Sequence, residues 1–370
     1  MRHLLFVLST CVATAAFAQQ PTDTTVLHPV VITATRVPIG QQAAPASVTV
    51  LRGEDLRSRG VTTVGQALAS VPGLLVVQSG SFGATTSLFA RGGESDYVKV
   101  LVDGVPLNNP GGAFDFANLT TDNLDRIEIA RGPTSVAYGS DAVAGVVQLF
   151  TRRGTGPVRG VVDVRGGSFG SVDGTATIAG GTRRLGYSLG ASSQESDGIL
   201  AFNNQYRNHV ESGRLTLVPA ATTVDLTARR TDATYHFPTD GSGAVVDSNA
   251  FSEEHRTVLG LAASRRVASR VDVRVLGAAS RLDGKTSNEP DSPGDSADFY
   301  SRANSRIERR SVDVRADIRA ADRATLSLGA AVEREQARNS GDSQFQTFPA
   351  TSTSFAAHRT DNAAYAQLIG

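Results

Sequence analysis

From Pro157 onward the chain alternates apolar and polar residues in short runs separated by turn-rich stretches. Ten runs stand out: Val158–Arg165, Gly174–Ala179, Leu185–Ser192, His209–Val218, Thr223–Arg230, Thr257–Arg265, Val271–Leu282, Arg306–Ile318, Thr325–Glu335 and Ala363–Leu368. In three of them the faces are explicit. Val271, Val273 and Val275, then Val312, Val314, Ala316 and Ile318, then Leu326, Leu328, Ala330 and Val332 point one way. Asp272 and Arg274, with Asp313, Arg315 and Asp317, point the other. Strands apolar on one face and charged on the other fit a membrane barrel with lipid outside and a wet or protein-filled lumen. A soluble sandwich would alternate in the same way. Strands of about ten residues favour the membrane. So do connections that alternate short (Ala220-Ala221, Ala268-Ser269) with long (Glu195–Asn208, Thr231–Glu254, Asp283–Ser305). No apolar stretch of about 18 residues occurs beyond the N-terminus, so no spanning helix is expected.

The first third reads differently. Ser47–Leu51 is strand-like, Gly53–Arg59 a short charged helix, and Leu74–Gln78 a further strand. Between them Thr63-Val64-Gly65-Gln66 has capping-box spacing for a helix through Ser70, stopped by Pro72-Gly73. The stretch Leu88–Arg153 is the most organised of all. Tyr97–Val102 is a β run ending in Asp103-Gly104, a dipeptide suited to a type I′ turn. Arg126–Ala130 alternates charge with apolar residues up to Gly132-Pro133, and Ala144–Thr151 is apolar enough to be buried on both faces.

Composition removes several alternatives. The 370 residues carry 36 basic and 36 acidic side chains, so nothing argues for a nucleic-acid partner. Arg2 and His3, the apolar run Leu4–Ala16 and the small-x-small site Ala16-Phe17-Ala18 make residues 1–18 a secretory signal peptide. Cys11, the one cysteine, falls inside it, so the mature chain is expected to hold no disulfide and no thiol-bound metal. Gly166-Gly167-Ser168-Phe169-Gly170 matches the nucleophile-elbow pattern, but a strand rather than a helix should follow, which makes it a hairpin. His28, His209, His236, His255 and His358 have no ligand spacing. No catalytic set emerges, and the chain is not expected to be an enzyme.

The ordered motifs Arg91-Gly92-Gly93, Leu101–Asn108 (LVDGVPLN), Arg126–Pro133 (RIEIARGP) and Ala137–Leu149 (AYGSDAVAGVVQL) resemble the plug domain of TonB-dependent outer-membrane transporters, most of all the cobalamin receptors. The resemblance covers residues 28–153. It implies an α+β plug domain over 41–154, followed over 155–370 by antiparallel transmembrane strands, the first part of a 22-stranded barrel. Residues 19–40 would be a linker carrying the TonB box at Val30, Val31, Ile32, Thr33 and Ala34. An exposed strand there would be captured by strand addition to the TonB–ExbB–ExbD energy-coupling complex. Arg91 and Arg131 would lock the plug to barrel carboxylates. The loops Ser79–Thr86 and Asn108–Phe116 would meet ligand, with Phe82, Asn108, Asn109, Phe114 and Phe116 as contacts. Asp197, Asp240 and Asp247 lie in loops comparable to those that bind calcium in the cobalamin receptor, though Tyr235-His236 stands where that family has Tyr-Asp; solvated loop charge is the competing reading. No other cofactor is implied. The ligand would be cobalamin or an iron–siderophore, and the location the bacterial outer membrane, in contact with its lipid.

Ten strands are too few to surround such a plug, since barrels of about eight strands are filled by their own side chains. An open half-barrel would leave two unpaired edges in lipid. The expectation is therefore an N-terminal piece of a longer transporter. A plug-bearing remnant that binds ligand or TonB without transport, and a structural or adhesive envelope β-protein, are the alternatives.

Overall fold

The computed structural model describes residues 30–239, 243–291, 299–321, 324–345 and 348–370. The expected signal peptide, His28 and Asp240 lie outside these residues.

The N-terminal part holds β1 (Val30–Val31), β2 (Ile39–Gly40), β3 (Ser47–Arg52), α1 (Gly53–Ser58), α2 (Val64–Ala69), β4 (Leu74–Gln78), β5 (Thr86–Ala90), β6 (Val98–Val102), β7 (Val105–Pro106), β8 (Leu124–Arg131), α3 (Ser135–Tyr138) and β9 (Gly145–Thr151). Local chemistry explains most of them. Thr63 and Gln66 close a capping box on α2, and Asp103 and Gly104 take φ +51° and +92° at the β6–β7 turn. Strand β9 is buried along its whole length because it is central, between β8 and β6, in a mixed sheet of order β3-β8-β9-β6-β7. Leu56, Leu68, Leu88, Val100, Ile127 and Leu149 form its core.

The C-terminal part is one antiparallel sheet, each strand paired with the next: β10 (Arg159–Gly166), β11 (Val172–Gly181), β12 (Leu185–Ser196), β13 (Tyr206–Leu217), β14 (Thr222–His236), β15 (Phe251–Ala268), β16 (Val271–Asn288), β17 (Phe299–Ala321), β18 (Ala324–Phe345) and β19 (Thr351–Ile369). The barrel is partial and not closed: β10 and β19 are not paired with each other among the described residues. All ten expected runs are strands. The Gly166–Gly170 motif is the β10–β11 hairpin, with Phe169 and Gly170 both at positive φ. Cross-strand register lines up Leu215, Leu226, Leu261, Gly277, Val312 and Val332 on the outer face. Five of these six carry exposed aliphatic side chains, an apolar row facing away from the plug. The inner face carries Ser188, Arg229, Arg256 and Arg315, all buried and each bonded to a carbonyl of the N-terminal part.

The strands are longer than the alternation implied. β17 has 23 residues, about 75 Å at a rise near 3.3 Å per residue, against an apolar band of about 25 Å. Segments assigned to long loops, such as Thr231–His236, Phe251–Glu254 and Asp283–Asn288, continue the ladders. Beyond the apolar row the outer positions are charged, as in the register His209–Asp232–His255–Asp283–Arg306. Backbone pairing continues there while the apolar signal stops, so hydrophobic pattern underestimates strand length.

Gly154 joins the two parts where they touch. A Cβ there would overlap the carbonyl oxygens of Tyr187 and Gly180. Gly154→Ala is expected to cost about 1–3 kcal/mol through overpacking, read as a lower unfolding temperature of the purified protein; an unchanged temperature would contradict this tight junction.

Candidate functional site

The segment Val30–Gly40 folds back on the plug instead of projecting from it. β1 pairs with β2 (Val30 with Gly40, Val31 with Ile39), and a turn between them is closed by bonds from Thr35 N and Arg36 N to Ile32 O. Val31 and Ala34 pack with Val48 and Ala130 in a small apolar cluster.

One carboxylate holds the segment. Glu128, on β8, is fully buried. Its Oε2 accepts hydrogen bonds from Ile32 N (2.8 Å), Thr33 N (2.8 Å) and Thr33 Oγ1 (2.7 Å). Its Oε1 accepts from Arg126 Nε at 2.8 Å. Four donors on two oxygens leave this buried charge satisfied.

Arg36 extends the contact to the barrel sheet. Its guanidinium lies 3.0 Å from Asp313 on β17 and over the rings of Tyr365 and Tyr138, at 4.9 and 5.6 Å from their centroids. Burial works against its charge, but Asp313, Tyr365 and Tyr138 together hold its pKa above the ordinary arginine value. Burial likewise raises the Tyr138 phenol. Tyr365 Oη bonds Asp313, and Arg315 donates to the carbonyl of Arg36. A rearrangement on β17 or β19 therefore reaches the segment directly.

This corrects the expectation of an exposed strand at Val30–Ala34. Val30 is 54% exposed, while Val31, Thr33 and Ala34 are buried. Val31 and Ala34 pack on the plug, and the amides of Ile32 and Thr33 are bonded to Glu128. Glu128, Arg36 and Asp313 were missed by sequence reasoning. Their signals were present, a carboxylate in a strand that alternates charge with apolar residues and an arginine just after a β-prone pentapeptide, but neither names its partner.

The outward loops also need correction. Phe114 and Phe116 stack edge to face at 4.8 Å inside the plug core. Asn108 is 1% exposed and clamps its own loop: it accepts from Val100 N and donates to the carbonyls of Val98 and Gly112. Gly111 and Gly112, both at positive φ, turn the loop inward and drop its aromatics into the core. Asn109 is half-buried and Phe82 exposed. The Phe82 loop is seated on the sheet by Asn204 Nδ2 donating to Ser81 Oγ at 2.7 Å, and by the Tyr206 ring against Gly83.

Arg131 bonds Pro72 O, Ser47 Oγ and Thr49 Oγ1 within the plug, and Arg91 is exposed. No carboxylate pairs with either among the described residues. Asp247 uses its carboxylate to cap its own turn at Asn249 N and Ala250 N. No group of three His, Cys, Asp or Glu among the described residues is arranged to hold a metal ion.

Residues 40–146 match the family described as TonB-dependent Receptor Plug Domain. The vitamin B12 transporter BtuB of Vibrio vulnificus (strain CMCP6) is 35% identical over 139 residues, covering 38% of this chain and 23% of that protein. The ferric citrate transporter FecA, in its unliganded form, superposes with a TM-score of 0.73 at 16% identity, over 89% of this chain and 54% of that one. The ferripyoverdine receptor of the outer membrane of Pseudomonas aeruginosa gives 0.71 at 15% identity, over 91% and 51%. The chain spans about half the length of these two solved relatives and a smaller share of the curated one.

Removing the Glu128 carboxylate leaves the amides of Ile32 and Thr33 without their acceptor, at about 1–3 kcal/mol for each unsatisfied group. Glu128→Ala is expected to free the segment, so that trypsin cleaves after Arg36 at least several times faster than in the wild type. Equal cleavage rates would show that Glu128 does not hold it.

Proposed function

We propose that this chain, a TonB-dependent receptor by its plug domain and the fold of its sheet, serves the active uptake of a scarce, large ligand across the bacterial outer membrane. The observation that carries this reading is the docked segment. Val30–Ala34 is a short β-prone stretch held by one buried carboxylate and tied through Arg36 to the strands around the plug. Such a segment is built to be released. Once free, its backbone can add as a strand to the sheet of the coupling protein TonB, driven by ExbB and ExbD. A pull on it acts first on β8 and then on the plug.

The curated relative is a vitamin B12 transporter, and the solved neighbours include a ferric citrate transporter and a ferripyoverdine receptor. Cobalamin or an iron–siderophore is therefore the ligand class we assign. Arg91 and Arg131 remain our candidates for holding the plug against barrel carboxylates. The apolar outer row Leu215–Leu226–Leu261 and its continuation would face lipid.

The test is uptake in cells expressing the protein. Radiolabelled cyanocobalamin and a ferric siderophore are offered in parallel, with and without residues 30–34. One of the two is expected to accumulate in a TonB-dependent way, and the deletion should abolish accumulation while leaving surface binding intact. Accumulation unaffected by the deletion would refute the coupling role; surface binding without uptake in either form would favour a non-transporting receptor.

A further inference from the structure

The plug and the inner face of the sheet enclose two adjoining cavities, of about 850 and 470 Å³. Ile32, Arg274, Leu276 and Arg315 line both. The larger is rich in charge, with eight arginines and five aspartates in its wall. Those aspartates are engaged. Asp225 pairs with Arg214 at 3.0 Å, and Asp103 faces Arg214 at 3.5 Å. Asp272 is held by Arg266 at 2.9 Å and approached by Arg319 at 3.6 Å. Asp317 pairs with Arg315 at 3.0 Å, and Asp125 with Arg126 at 2.8 Å. In the smaller cavity, Asp313 is taken by Arg36.

Arg265 and Arg274 are left over. Arg265 is exposed, whereas Arg274 on β16 is half-buried, and its guanidinium has no ion pair and no hydrogen bond among the described residues. Register places it directly opposite Arg315 on β17. Like charges directly opposite across a strand pair repel, and a half-desolvated guanidinium without an acceptor is costly. An anion between the two arginines would remove both penalties at once, and the planar guanidinium fork suits a carboxylate or phosphate.

We propose that Arg274, with Arg315 across the strand pair, forms an oxyanion-binding site between plug and sheet that takes a carboxylate or phosphate group. Ile32 of the docked segment lines both cavities, so release of the segment widens access to the site. That the site serves as a waystation for anionic cargo rests on the uptake reading; the binding itself does not.

Calorimetric titration of the purified, detergent-solubilised chain separates the two. Inorganic phosphate and succinate serve as probes. Saturable binding of at least one is expected, weakened about tenfold or more by Arg274→Gln. Arg274→Lys, which keeps the charge and loses the fork, should fall between, and it carries the test if the glutamine variant does not fold. The exposed Arg338→Gln should bind like the wild type. Phosphate-selective, succinate-selective and shared binding each support the site and identify the cargo group. No saturable binding of either probe, or equal binding by wild type and Arg274→Gln, overturns it. Arg274-dependent binding in a protein that imports nothing would reject the uptake reading and leave the site standing.

Discussion

The buried carboxylate of Glu128 is the constraint on which the functional arrangement depends. It lies where the β8 strand of the plug meets the folded-back N-terminal segment, and both its oxygens are occupied by donors. A charge so placed is stable only while its partners stay. Three of the four bonds come from Ile32 and Thr33, so the segment and the plug strand are stable together. Arg36 adds a second tether, to Asp313, reaching the outer sheet. The segment is thus the piece of chain that senses plug and strands at once.

The interface between plug and sheet is built differently from the plug's own core. Inside the plug, Leu56, Leu68, Leu88 and Ile127 pack against one another. At the interface the contacts are mainly polar. Arg229 reaches Asp122 at 2.7 Å with both side chains buried, Ser212 donates to the same aspartate, and Ser188 bonds Arg152 O. Val258 and Ala278 are apolar exceptions, packing with the plug's cluster. Polar interfaces with cavities between them suit parts that must move relative to each other more than parts fused by hydrophobic burial.

Much of this was legible in the sequence because two-faced strands and tight turns impose strict patterns. Alternation at Val312, Val314 and Ala316 predicted both the strand and its outward face, and Asp103-Gly104 predicted its turn. Legibility ended where the constraint did. Beyond the apolar row, residues such as Asp283 and Lys285 satisfy water on any backbone, so the sequence there reads as loop although the ladder continues. Phe114 and Phe116 stand in a Gly-rich stretch whose composition suits a solvent-facing loop or one folded back into the core. Long-range pairing was the least visible: nothing near Glu128 points to Thr33, 95 residues away, or near Asp313 to Arg36.

On the proposed reading, the docked segment is the closed position of an equilibrium set by Glu128. Binding of the isolated C-terminal domain of TonB to the purified protein tests it most directly. A partner that captures only the released segment binds with an affinity reduced by the released fraction. Glu128→Ala is therefore predicted to bind this domain more tightly than the wild type, by up to about tenfold for each 1.4 kcal/mol of docking lost. Equal or weaker binding by the variant would contradict the account.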